Sequence, residues 1–176
     1  MASETARSNA DHAAGRPTRV ESDPLWCPSA RPDDSSVVFA VRVADPARAG
    51  VRYLDRVVPT TAELLALADP IDPREVFRFG APCVEHACAH FDGSRCTLVR
   101  RLVEATPPAV TRLPPCRLRP KCRWFAEEGV SACHRCPVIL TLQHSPDPRV
   151  AVAAQPPPTG SIEVAAVSDA SVAESA

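Results

Sequence analysis

Glycine and aromatic residues are scarce in this chain, which has six Gly, two Trp, one Tyr and five Phe among 176 residues. So few large apolar side chains give little material for an aliphatic and aromatic core, and twenty prolines interrupt helices that might otherwise form. No stretch approaches the ~18 apolar residues of a membrane span, and Met1 to Pro24 holds no apolar run behind a basic segment, so a cytoplasmic protein is expected, with no membrane partner. A surplus of one charge is also missing. The formal net charge of -1 argues against a general role on nucleic acid or a membrane surface, which calls for a basic excess. Between Val37 and Gly80 there is no glycine-rich phosphate loop, no His-Glu-x-x-His and no Gly-x-Ser-x-Gly, and no repeat of fixed period runs along the chain. That front section reads as scaffold without a site.

What the chain has in quantity is cysteine: eight, of which seven fall between Cys83 and Cys136. The length accommodates one domain with tails, and a thin core is commonly supplemented by disulfides or by a metal. In a reducing compartment thiols stay reduced, so the cluster reads as metal-binding before it reads as disulfide-bonded. A nucleophilic role lacks a recognisable base and orienting partner, so the reading is of a non-enzyme.

Composition divides the chain into four segments. Residues 1–35 and 146–176, rich in small polar residues and proline without hydrophobic periodicity, are expected to be disordered tails. Within the first, Leu25-Trp26-Cys27-Pro28 sets an aromatic beside a cysteine that either docks onto the domain or stays in a flexible arm. Residues 36–80 read as a scaffold of one β-hairpin and a short helix. Two β-branched runs, Val37 to Val43 and Val51 to Val58, flank Asp45-Pro46 and Gly50; Val37, Phe39, Val41 and Val43 are expected on one face. Thr60-Thr61-Ala62-Glu63 fits a capping box before Leu64, Leu65 and Leu67, with the helix ending by Pro70.

Residues 81–145 form the cysteine-rich metal-binding region, in the order Cys83-x4-Cys88-x7-Cys96-x19-Cys116-x5-Cys122-x10-Cys133-x2-Cys136. A Cys-x2-Cys segment aims two thiolates into one concavity, and Pro137 after Cys136, like Pro28 after Cys27, repeats the Cys-Pro step of bacterial ferredoxin runs. Helices are predicted from just after Cys96 to before Pro107-Pro108, and from Cys122 through Trp124-Phe125 to Gly129. Each would set a cysteine at a helix start, where free amides and partial positive charge lower a thiol's pKa. Eight Arg and one Lys stand against five acidic side chains from Cys83 to Cys136, an excess suited to offsetting bound thiolates.

Zinc sites favour two knuckles of closely spaced ligands, whereas this chain has one Cys-x2-Cys and otherwise scattered cysteines. Iron-sulfur ligation is therefore preferred, as one or two [4Fe-4S] clusters on Cys83, Cys88, Cys96, Cys116, Cys122, Cys133 and Cys136, with His86, His90 and Cys27 as further candidate ligands. Zinc is the alternative cofactor. The segments Cys88-Ala-His-Phe-Asp-Gly-Ser-Arg-Cys96 and Arg119-Pro120-Lys-Cys122-Arg123-Trp-Phe125 resemble the later half of the zinc- or iron-chelating cysteine-cluster family, without that family's opening cysteine pair and with one residue between Pro120 and Cys122. The resemblance implies metal chelation by Cys88, Cys96 and Cys122.

The sequence therefore predicts a small, irregular α+β domain organised by metal. It would serve as an iron-sulfur electron carrier, redox sensor or accessory protein with a protein redox or enzyme partner. The competing reading is a zinc-stabilised module whose Arg117, Arg119, Lys121 and Arg123 contact an acidic partner or nucleic acid.

Overall fold

The computed structural model describes residues 23–33, 35–43, 50–142, 144 and 146–157. Residues 1–22 and 158–176, which belong to the expected tails, lie outside them. The fold is α+β. Strands β1 (Trp26–Cys27), β2 (Val37–Arg42), β3 (Val51–Pro59) and β4 (Phe77–Pro82) form an antiparallel sheet in the order β1-β4-β2-β3. Of the helices α1 (Ala62–Ala66), α2 (Pro73–Val76), α3 (Thr97–Ala105), α4 (Arg123–Arg135) and α5 (Pro148–Ala153), the last three share a hydrophobic cluster of their own.

The expected hairpin forms between β2 and β3, but β2 does not present one buried face. Its register slips between Val38 and Ala40 in the ladders to both neighbours, and Val38, Phe39 and Ala40 are all buried. The extra residue of a bulge breaks the period of two, and both faces are covered. Val38 joins Phe77, Phe79 and Ala68 on the side held by α1 and α2, while Phe39 and Ala40 pack with Leu118 from the cysteine region on the other. Phe39 and Phe79 are 1 % and 0 % exposed. Burying each contributes about 1.5–3 kcal/mol, which matters in a chain with eight aromatics. Close approach on the Leu118 side depends on Gly80, where a Cβ would lie 2.6 Å from Leu118 Cδ2.

Thr61 caps α1, its side chain accepting from Leu64 N at 3.2 Å, so the cap falls one residue later than a Thr60/Glu63 box requires. Thr60 instead shares a hydrogen bond of 2.7 Å with Ser36 across the hairpin.

Two segments assigned to the tails belong to the domain. Trp26 and Cys27 pair with Pro82 and Ala81, adding a strand at the sheet edge. Beyond Asp147, whose carboxylate accepts from Arg149 N, α5 packs Val150 and Ala153 against α3 and α4, with Val99, Leu102, Trp124 and Ile139. Composition suggested disorder because small apolar residues and proline dominate both stretches, yet each buries its few apolar side chains against an already folded surface. No helix among the described residues is long and apolar enough to cross a membrane.

Candidate metal centre

All eight cysteines are free thiols, and they line two cavities in two sets of four. Cys27, Cys83, Cys88 and Cys96 border the larger, of about 620 Å³. Cys116, Cys122, Cys133 and Cys136 border the smaller, of about 20 Å³. The sets follow chain order, with the break in the long Cys96 to Cys116 interval that holds α3.

Local structure explains how each thiol arrives. Pairing of β1 with β4 sets Cys27 opposite Ala81, and Cys83 N donates to Leu25 O at 2.8 Å, which brings residues distant in sequence to one wall. After Cys83 the chain makes a short 3-10 turn over Glu85–Ala87, presents Cys88, and returns through a tight loop in which Asp92 accepts from the amides of Ser94 and Arg95. Cys96 then stands at the N-terminus of α3, as expected. Its amide is satisfied from another helix, donating to Glu127 Oε2 at 2.8 Å.

In the second set Cys122 precedes α4, again as expected, but α4 does not end at Gly129. Gly129 adopts φ 58°, a left-handed conformation that breaks the helix, after which the chain resumes helical turns through Arg135. This continuation carries Cys133 and leads to Cys136 at the C-terminal cap, so the Cys-x2-Cys pair sits one helical turn apart.

The expected lowering of thiol pKa at helix starts is not the net outcome. Burial pushes Cys122 up to about 12, with amides of Phe125 and Trp124 pulling the other way and the neighbouring Cys136 and Cys116 adding to the rise. Burial also raises Cys96, against amides of Val99 and Leu98. Cys27 is pushed up to about 12, by burial first and then by Cys83, Cys96 and Cys88. Burial likewise raises Cys116, against the amides of Leu118 and Arg119 and the Arg119 charge, and raises Cys133, against the Arg119 side chain. The amides supply what a bound thiolate needs, but desolvation outweighs them while the thiols are free.

The front section is not free of site residues. Phe39 and Tyr53 line the smaller cavity, and Arg78 reaches Cys136 from β4. Arg78 is fully buried, and no carboxylate among the described residues pairs with it. Its guanidinium donates to Cys136 O at 2.7 Å and Pro28 O at 2.8 Å, lies 3.6 Å from Cys136 Sγ, and sits over the Phe39 ring. Its sequence signal is an arginine between Phe77 and Phe79 in an otherwise apolar strand. Among the described residues, four buried side-chain nitrogens lack a hydrogen-bond partner: Nε of Arg78, Arg119 and Arg123, and Nε1 of Trp124. All are N–H donors, and all belong to residues that border the cavities or touch a cysteine.

Of the histidines named as further ligands, His90 lines the larger cavity, with Nδ1 3.1 Å from Arg101 Nη2; burial and the Arg101 charge lower its pKa. His86 is exposed and stacks edge-on against Phe91. The basic series is largely engaged inside the molecule. Arg117 donates to Asp55 O, Arg119 to Pro114 O, Lys121 pairs with Asp23, and Arg123, 5 % exposed, pairs with Glu85 and Glu127. Among the described residues, no three His, Cys, Asp or Glu side chains are drawn together tightly enough to hold a single metal ion.

No family model matches this chain, and no curated protein or solved structure matches it.

Proposed function

We propose that this chain is an iron-sulfur protein, an electron carrier, redox sensor or accessory subunit working in the cytoplasm with a protein partner. The observation that carries the reading is the donor surplus at the thiols: a fully buried Arg78 with no carboxylate partner, and four buried N–H groups with no acceptor. An unpaired buried cation costs several kcal/mol. A sulfur-rich anionic group among the cysteines would supply the missing counter-charge and acceptors, and hydrogen bonds to sulfur are a principal means of tuning such a group.

The donor set fits. Four cysteines line each cavity, no carboxylate lines the smaller, and Asp33 is the acidic residue on the larger. The smaller cavity has room for about one water as its walls stand, so a cluster there would require those walls to move apart. A single tetrahedral zinc would instead draw four thiolates to about 3.8 Å of one another. The resemblance of the Cys88 to Phe125 segments to a zinc- or iron-chelating family supports metal chelation by Cys88, Cys96 and Cys122 without choosing between the metals.

When bound, a [4Fe-4S] cluster supplies a reversible one-electron couple. The protein's residues would hold it by thiolate, exclude water with Phe39, Leu118 and Trp124, and set its potential through Arg78 and the helix-start amides of α3 and α4. The test is purification without oxygen, with absorption spectrum and metal analysis. Broad absorption near ~400 nm with equal iron and sulfide is expected. A colourless protein with stoichiometric zinc would transfer the reading to a zinc-stabilised interaction module, and a protein without metal would end both.

A further inference from the structure

We infer that the chain holds two separate [4Fe-4S] clusters, one on Cys27, Cys83, Cys88 and Cys96 and one on Cys116, Cys122, Cys133 and Cys136. Trp124 lies between them, and Arg78 makes the second the better electron acceptor. This rests on the iron-sulfur reading and divides its ligands.

The partition stands on placement. Each cavity is lined by four cysteines and neither shares one with the other. Cys27 completes the first set only because β1 joins the sheet, and the same strand touches the second set, since Trp26 forms a bridge with Cys122.

Trp124, 2 % exposed, lines both cavities, so one side chain separates the two sets. The surroundings differ in charge. Arg78 beside Cys136 has no acidic partner, whereas Arg123 at the larger cavity is offset by Glu85 and Glu127. An uncompensated positive charge stabilises the more negative, reduced cluster and raises its potential. The first cavity is walled partly by the exposed 84–87 turn, which gives a partner access. An electron from a low-potential protein donor would reduce the first cluster by one unit, then pass to the second, returning the first to its oxidised state.

The full chain, purified without oxygen and reconstituted with iron and sulfide, is analysed for metal and titrated with dithionite. About eight irons and eight sulfides per chain are expected, with two one-electron steps and a paramagnetic resonance spectrum broadened by two neighbouring spins in the reduced protein. Cys27→Ser and Cys122→Ser should each halve the iron and leave a single unbroadened signal. Cys88→Ser, in the exposed loop, and Cys116→Ser repeat the comparison if either first variant misfolds. In the Cys27→Ser background, Arg78→Gln should lower the remaining potential, and by more than in the Cys122→Ser background, where Arg78 reaches the first set only through the Pro28 carbonyl. About four irons with Cys27→Ser at wild-type content would overturn the partition while the iron-sulfur reading stands. Zinc or no iron would overturn that reading itself.

Discussion

Arg78 and Cys136, 58 residues apart, are joined at two points, the guanidinium donating to the Cys136 carbonyl at 2.7 Å and approaching its sulfur at 3.6 Å. The contact fixes the end of the Cys-x2-Cys segment to the middle of the sheet. It also brings Pro28 into the same junction, through the hydrogen bond of 2.8 Å from Arg78 to its carbonyl.

Arg78→Met removes both donors and strands two carbonyls beneath the sheet. In the protein carrying its cluster, where the Arg78 charge is offset, each buried orphan costs about 1–3 kcal/mol, so the variant is expected to lose on the order of 2–4 kcal/mol of stability, read as an earlier midpoint in urea at unchanged slope. An unmoved midpoint would show that water or a rearranged loop satisfies the carbonyls.

Gly80→Ala places a methyl where Leu118 Cδ2 now sits, 2.6 Å away. With Leu118 buried and confined by Phe39, Ala40 and Cys116, a loss of about 1–3 kcal/mol is expected. Leu118→Ala opens space for the added methyl, so the double variant should be more stable than the sum of the two losses implies. Strict additivity in the cycle would count against direct contact.

Arg101 ties α5 to α3, donating to Ala153 O at 3.0 Å and Gln155 O at 2.9 Å while holding Thr97 Oγ1 at 2.7 Å. Arg101→Ala is expected to cost about 1–2 kcal/mol and to expose the 148–153 segment to limited proteolysis before the rest of the domain is cut. Equal cutting rates in the two proteins would mean that Val150 and Ala153 anchor α5 without the arginine.

Acid should act at low pH through the two aspartate caps. Hydrogen bonds from Arg74 hold Asp72 at about 2, and those from Arg149 hold Asp147 at about 2. A depressed folded pKa stabilises above the ordinary value of about 3.9 and loses that contribution as pH falls from there toward about 2. The gap in thermal midpoint between wild type and Asp147→Asn should therefore be constant above about pH 5 and close between about pH 4 and 2. A gap that persists at pH 2 would remove the charge from the explanation.

Much of the site could be read locally. Cys96 and Cys122 were expected at helix starts from the apolar spacing that follows each, and both are there, because helix caps depend on a few adjacent residues. The end of α4 was not legible: Gly129 does break the helix, but burial of Ala132 against Trp124 and Ile139 restarts it. β2 was misread for a similar reason. Its bulge and the cover on both faces come from β4 and the Leu118 loop, neither of which is encoded in the alternation of Val37 to Val43.

By itself, the sequence determined the hairpin, the helix starts, the α+β class and the concentration of thiols after Cys83, since each follows from propensity, capping or count within a short window. Only the tertiary structure decided which thiols face one another. Cys27 reaches Cys83 through strand pairing between β1 and β4, and Arg78 reaches Cys136 through the body of the sheet. Such meetings depend on register and on which apolar faces must be buried together, and no local rule fixes either across more than fifty residues.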